Sequence, residues 1–233
     1  MNMNKYIKMN FSLVKGELIG LLCCAMVVPV GLFLTSILPI ALILVIVMIV
    51  LFIRILSKMD KTMFGEGAVL YQSLPFSAKE VVVTKTLVLT AATSIAWAGI
   101  MGGLAMGLAV INASTSEPGL SVLFMELMEE VGVMSVLVII CTLIANGFFV
   151  AATLLATSIT TRLTDSYMAK FCIFAVFLLV FSFQRTKLPE LLMLLMGQNI
   201  LAASVLEILA TLIMGLCASL ISKYCLEKKY ILS

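Results

Sequence analysis

Long apolar runs separated by short polar intervals organise this chain. Bridging roughly 30 Å of hydrocarbon takes about 20 mostly apolar residues, so each run is read against that length. Six runs qualify as spans: about Leu18–Ser36, Ile40–Ile55, Thr84–Ile111, Val133–Ile159, Lys170–Phe183 and Ile200–Ile221. Pro29 is a tolerated kink in the first, and the stretch Thr35 to Pro39 makes a tight turn into the second. The pattern predicts an all-α polytopic membrane protein, with residues 1–233 forming a single transmembrane domain.

The intervals carry their own signals. Residues 1–17 hold Lys5, Lys8 and Lys15 before an uninterrupted apolar run, with no small-residue cleavage site after it. They are read as a cytoplasmic interfacial segment leading into a retained anchor. Residues 56–83 form a long polar connection. Residues 112–132 begin as a loop rich in Ser, Glu and Gly. They continue as an amphipathic stretch in which Leu120, Leu123, Phe124, Leu127, Met128 and Val131 share one helical face. A short helix lying in the outer interface is expected there. In residues 184–199, the apolar run after Leu188-Pro189-Glu190 is too short to cross, which fits a re-entrant or interfacial helix before the sixth span. Pro189 suits its first turn and Gly197 its end.

Composition agrees that lipid is the solvent. Hydrophobic residues make up 63% and charged residues 12% of the 233 positions, and the mean hydropathy is +1.22. Soluble domains are about a quarter charged and under half apolar. With both termini inside, all of the fifteen Lys and Arg residues except Arg185 and Lys187 fall on the cytoplasmic side. The positive-inside rule therefore predicts a multi-pass membrane protein with cytoplasmic N- and C-termini. A net charge of +3 spread over loops makes no nucleic-acid patch. The six cysteines have no metal-ligand or disulfide spacing and read as reduced packing residues. Cys225, in the tail, is also placed for S-acylation near the bilayer. No histidine is present, which excludes His-dependent catalysis and most intramembrane metal sites. No metal and no cofactor is expected on this chain.

Within the long connection, Ser77 and Glu80 have the spacing of a capping box, with Phe76 and Val81 as its hydrophobic staple. The helix they start is expected to run without a break into the third span. Upstream, Gly65 and Gly67 bracket a turn, and residues 68–73 are long enough for a short helix before the break at Leu74-Pro75. This connection is read either as a solvated linker or as an ordered platform for a soluble partner. Gly99, Gly103 and Gly107 lie on one face of the third span, with Gly102 beside it, and suit close helix packing within the chain or at a subunit interface. Thr211, Gly215 and Ser219 form a weaker stripe on the sixth. Strongly polar side chains inside the spans are few, and Asn146 and Glu207 stand out. Asn146 is expected to bond a neighbouring helix or line a substrate path. Glu207 is expected to snorkel outward, line the path or pair with Arg185 or Lys187.

The segment from Phe64 to Leu87 resembles the loop of bacterial ATP-binding-cassette type-2 exporter permeases. The matching positions are Glu66-Gly67, Ser73-Leu74-Pro75-Phe76-Ser77, Lys79-Glu80, Val81 to Val83, and Lys85. The motif is degenerate and covers a small part of the chain, but its place between spans two and three agrees with the family. The resemblance implies a permease that pairs with itself or a sister permease around a path for a peptide, drug or lipid. It implies that two cytoplasmic ATP-binding-cassette ATPase subunits, holding ATP and Mg, drive alternating access. It also implies a coupling helix at residues 68–73, with Asp60, Glu66, Tyr71, Gln72, Ser77 and Glu80 as coupling positions and residues 1–17 as a connecting helix. The chain has no Gly-x4-Gly-Lys-Ser/Thr loop, so the ATPase would be a separate polypeptide and this chain no enzyme.

Other classes compete. The Glu129-Glu130 pair resembles one found in a group of membrane proteases, but Met134 replaces the expected arginine. An ion-coupled carrier would carry more intramembrane charge or broken helices, and no repeat relates residues 1–112 to 113–233. A non-transporting accessory or immunity subunit would share the same spans.

Overall fold

The computed structural model describes residues 3–33, 38–64, 77–114, 119–196 and 199–232. They form helices throughout, with no strand among them. In chain order these are α1 (Met3–Phe33), α2 (Leu38–Phe64), α3 (Ala78–Ser114), α4 (Gly119–Arg162) and α5 (Tyr167–Ser182). A π-helical turn (Phe183–Lys187), α6 (Leu188–Leu195) and α7 (Ile200–Leu232) follow. Among the described residues, six stretches are long and apolar enough to cross a membrane: Met3–Gly31, Pro39–Phe64, Ala78–Leu104, Val136–Arg162, Tyr167–Leu195 and Ile200–Lys228. The chain is an all-α, six-span membrane protein.

Four intervals differ from their reading in the sequence, for one reason: helices continue where nothing breaks them. Residues 1–17 are not a separate interfacial segment, because α1 runs unbroken from Met3. Tyr6, Asn10, Val14, Leu18 and Leu21 form a buried stripe along it, while Lys5, Lys8 and Lys15 stay exposed. That spacing turns one face of α1 into the bundle from its first turns onward. The connection at 56–83 is shorter than expected, since α2 continues to Phe64 and α3 begins at Ala78. The expected coupling helix at 68–73 lies outside the described residues. The interfacial helix within 112–132 is not a separate element, for α4 runs from Gly119 to Arg162 without a Pro to stop it. The short helix before the last span exists as α6, but its start is not detached. The π-helical turn joins it end-on to α5, so that Tyr167–Leu195 reads as one span.

Hydrocarbon gives apolar helices no preference for one another over lipid, so packing rests on close approach and polar bonds. Glycines supply the close approach. A Cβ at Gly99 would lie 2.6 Å from the Ala25 Cβ, and one at Gly103 would lie 2.2 Å from the Met26 carbonyl oxygen. The face expected to allow tight packing therefore receives α1, within the chain. Gly107 is buried on the same face. Gly147 approaches Thr93 of α3, and Gly215 meets Phe148 and the Phe149 backbone of α4. The most extensive contacts are accordingly α1 with α3 and α4 with α7. A shared cluster including Val14, Leu21, Ile55, Met59, Leu89, Leu155 and Leu226 joins α1, α2, α3, α4 and α7 at the end where the N-terminus lies.

By contrast, α5 buries none of its side chains and touches mainly α4. It stands at the edge of the bundle.

Gly103→Ala is expected to lower stability by about 1–3 kcal/mol, because the new methyl meets backbone that has no rotamer to change. Gly102→Ala, with nothing within 4 Å, is expected to be neutral or slightly stabilising. Thermal unfolding of both purified variants in one detergent checks the contrast.

Candidate functional site

Among the described residues, the buried side-chain hydrogen bonds between helices gather into two clusters. The first lies at the N-terminal end of α3. Ser77 precedes the helix, its amide donating to the Glu80 Oε2 at 2.9 Å while the Glu80 amide donates to the Ser77 Oγ at 3.3 Å. The hydroxyl of Ser77 also donates to the Glu80 carboxylate at 3.0 Å. This reciprocal pair satisfies orphan amides at the helix start and sets where α3 begins. The proposed staple residue Phe76 lies outside the described residues.

Two turns into α3, Lys85 is fully buried. Its ammonium donates to the Asn10 Oδ1 of α1 at 2.6 Å and to the Thr62 Oγ1 of α2 at 2.5 Å. Each acceptor is itself held: the Asn10 amide donates to the Tyr6 carbonyl at 3.0 Å, and the Thr62 hydroxyl to the Met59 carbonyl at 2.8 Å. A buried charge is tolerated only when its hydrogen bonds are met by positioned acceptors. This one bonds three helices at a single point.

Two further pairs flank it. Lys58 of α2 forms an ion pair with Glu17 of α1 at 2.7 Å and donates to the Leu13 carbonyl at 2.9 Å. Asp60, one helical turn before Phe64, is turned to α4, where Arg162 pairs with its Oδ2 and the Ser158 hydroxyl donates to its Oδ1 at 3.1 Å.

The second cluster lies deeper. The π-helical turn directs Gln184 inward, leaving it 1% exposed. Its amide nitrogen donates to the Asn146 Oδ1 of α4 at 2.6 Å and makes a longer contact with the Thr211 Oγ1 of α7 at 3.4 Å. The Gln184 Oε1 has no hydrogen-bond partner among the described residues. This cluster pins the far end of α5 to α4 and α7. Insertions of this kind re-aim one residue and recur at functional sites. Glu207, one turn from Thr211 and half-buried, is within electrostatic reach of Arg185, without an ion pair inside 4.0 Å among the described residues.

The positions singled out in the sequence are thus divided. Ser77 and Glu80 come together, Asp60 joins α4, Gly99 and Gly103 receive α1, and Asn146 is a helix–helix bond partner. Glu207 has no hydrogen bond to Asn146 among the described residues and lies one turn from Thr211 on α7. Glu66, Tyr71 and Gln72 lie outside the described residues. Asn10, Thr62, Arg162 and Gln184 were missed as site residues, and Lys85 was noted only as part of the motif. One signal was available: Asn10 interrupts the stripe Tyr6, Val14, Leu18 at helical spacing, which marks a polar group on the buried face. No group of three or more potential metal ligands occurs among the described residues. Compared with family models, curated proteins and solved structures, the chain matches none.

Asn10→Ala is expected to cost about 1.5–3 kcal/mol in the native background, the worth of a hydrogen bond to a charged group. In a Lys85→Met background the same change should cost far less, since no ammonium is left to satisfy. A double-mutant cycle on unfolding in mixed micelles measures the coupling. Additive effects would show that the contact carries no energy.

Proposed function

We propose that the chain is the permease subunit of an ATP-driven exporter in the bacterial cell membrane, moving a hydrophobic or amphipathic substrate by means of a separate cytoplasmic ATPase. The observation that carries this reading is the position of Lys85. It closes the segment that resembles the permease loop, and it is bonded at once to α1 and α2. A loop pushed by a soluble motor would act on α3 through the Ser77–Glu80 cap, and through Lys85 on α1 and α2 together. The force would arrive at a three-helix unit rather than at one helix.

The rest of the reading follows from the same arrangement. The end that carries the cap and the Lys85 network also carries nearly all of the lysines and arginines, which supports a cytoplasmic location for it and for both termini. The motor would bring ATP and Mg. A second permease, the same chain or a sister, would complete the path. Of the two intramembrane polar candidates, Glu207 suits the path better, because Asn146 is engaged by Gln184.

Affinity purification of the tagged chain with the products of neighbouring genes, in mild detergent, tests the reading. An ATPase is expected to co-purify, and Tyr71→Ala with Gln72→Ala is expected to lose it. Reconstituted vesicles should then move substrate only with ATP. Absence of an ATPase from both preparations, with stable folded protein, would overturn the proposal in favour of a carrier or an accessory subunit.

A further inference from the structure

Because α5 stands off from the bundle, it leaves a crevice on the side facing α2. This crevice, about 530 Å³, lies between α2, α4 and α5. Its depth is walled by Ile53, Leu155, Phe174 and Phe177, and its mouth carries Asp60, Ser158 and Arg162. That volume falls in the range of small-ligand sites, roughly 300–1,000 Å³. The mouth lies at the ends of α2 and α4, at the level where a span meets the headgroups. An apolar space opening toward the bilayer is filled by hydrocarbon, so the question is what the polar mouth selects.

We infer that this crevice is a binding site for one phospholipid bearing a primary-ammonium headgroup, phosphatidylethanolamine, with an acyl chain between α2 and α5 and its headgroup at the Asp60–Arg162 pair. Charge complementarity identifies the occupant. The mouth presents one carboxylate and one guanidinium in contact. An anionic headgroup would meet Asp60, and a cationic one would meet Arg162. A zwitterion satisfies both. Arg162 is more than half exposed and directs one nitrogen to Asp60, leaving other donors of its fork for a phosphate. The Asp60 carboxylate accepts from Ser158 and Arg162 and retains lone pairs for an ammonium. A choline headgroup has no N–H to donate there, and a glycerol headgroup has no positive charge. The inference rests on the six-span fold and this geometry, independently of the exporter reading.

The sole tryptophan, Trp97, permits a local reporter. Phe174→Trp in a Trp97→Phe background places an indole on the crevice wall. The purified protein is reconstituted in phosphatidylcholine vesicles containing a small fraction of brominated-chain phosphatidylethanolamine, phosphatidylcholine or phosphatidylglycerol. Brominated phosphatidylethanolamine is expected to be favoured at the indole by roughly two- to fivefold, the ratio that suits one interfacial ion pair. Asp60→Asn is expected to remove the preference. Should that single change prevent folding, Asp60→Asn with Arg162→Gln leaves no uncompensated charge and reads the same quantity. Equal quenching by the three lipids, or a preference that survives loss of the carboxylate, would overturn the inference.

Discussion

Hydrocarbon cannot hydrogen-bond, and everything in this fold answers to that. Backbone groups are satisfied inside each helix, so apolar side chains have no reason to choose a neighbouring helix over a lipid tail. What remains to specify the bundle is contact at short range and the few polar groups with nowhere else to go. Gly99 and Gly103 bring the backbones of α1 and α3 together, Gly147 gives room to the Thr93 and Ser94 side chains of α3, and Gly215 lets α7 close on Phe148 and the Phe149 backbone of α4. The ammonium of Lys85, the amide of Gln184 and the carboxylate of Asp60 then select which helices meet and in which rotation.

These devices divide the molecule unevenly. The α1–α3 unit is bound by glycine packing and by the Lys85 and Glu17–Lys58 bonds at one end. The α4–α7 pair is held by contact along its length. Between them in character is α5, which has no buried side chain of its own, packs mainly on α4, and is bonded through Gln184 just beyond its end. A helix fastened at one end and loosely seated elsewhere is the element most easily displaced, and it borders a second crevice of about 550 Å³ on its α7 side.

The six spans were legible because a run of apolar residues and a lipid core have the same length scale. The start of α3 was legible too, since the Ser77–Glu80 pair is a local chemical signal complete within four residues. What escaped were continuations and long-range bonds. Residues 1–17 and 112–132 were divided from their spans on the basis of polarity, whereas helices end where backbone geometry or capping ends them. The partnership of Lys85 with Asn10 spans 75 positions, and that of Gln184 with Asn146 spans 38. Neither separation has a periodicity to betray it. The inward turn of Gln184 depends on a π-helical turn that the string Phe-Gln-Arg-Thr-Lys does not announce.

That turn stores one residue without spending rotation. Between Phe183 and Lys187 the helix holds about one residue more than an α-helix of equal rise would hold. One residue corresponds to about 100° of phase in an α-helix, and the wider turn absorbs it, so α5 and α6 stay aligned as one span. Loss of one residue there would let the turn close to a regular α-helix and leave the span beyond it in place. What would vanish is the inward aim of Gln184, and with it the bond to α4. The surplus residue is slack held at one point of a taut rod, and the whole of it goes into a single amide.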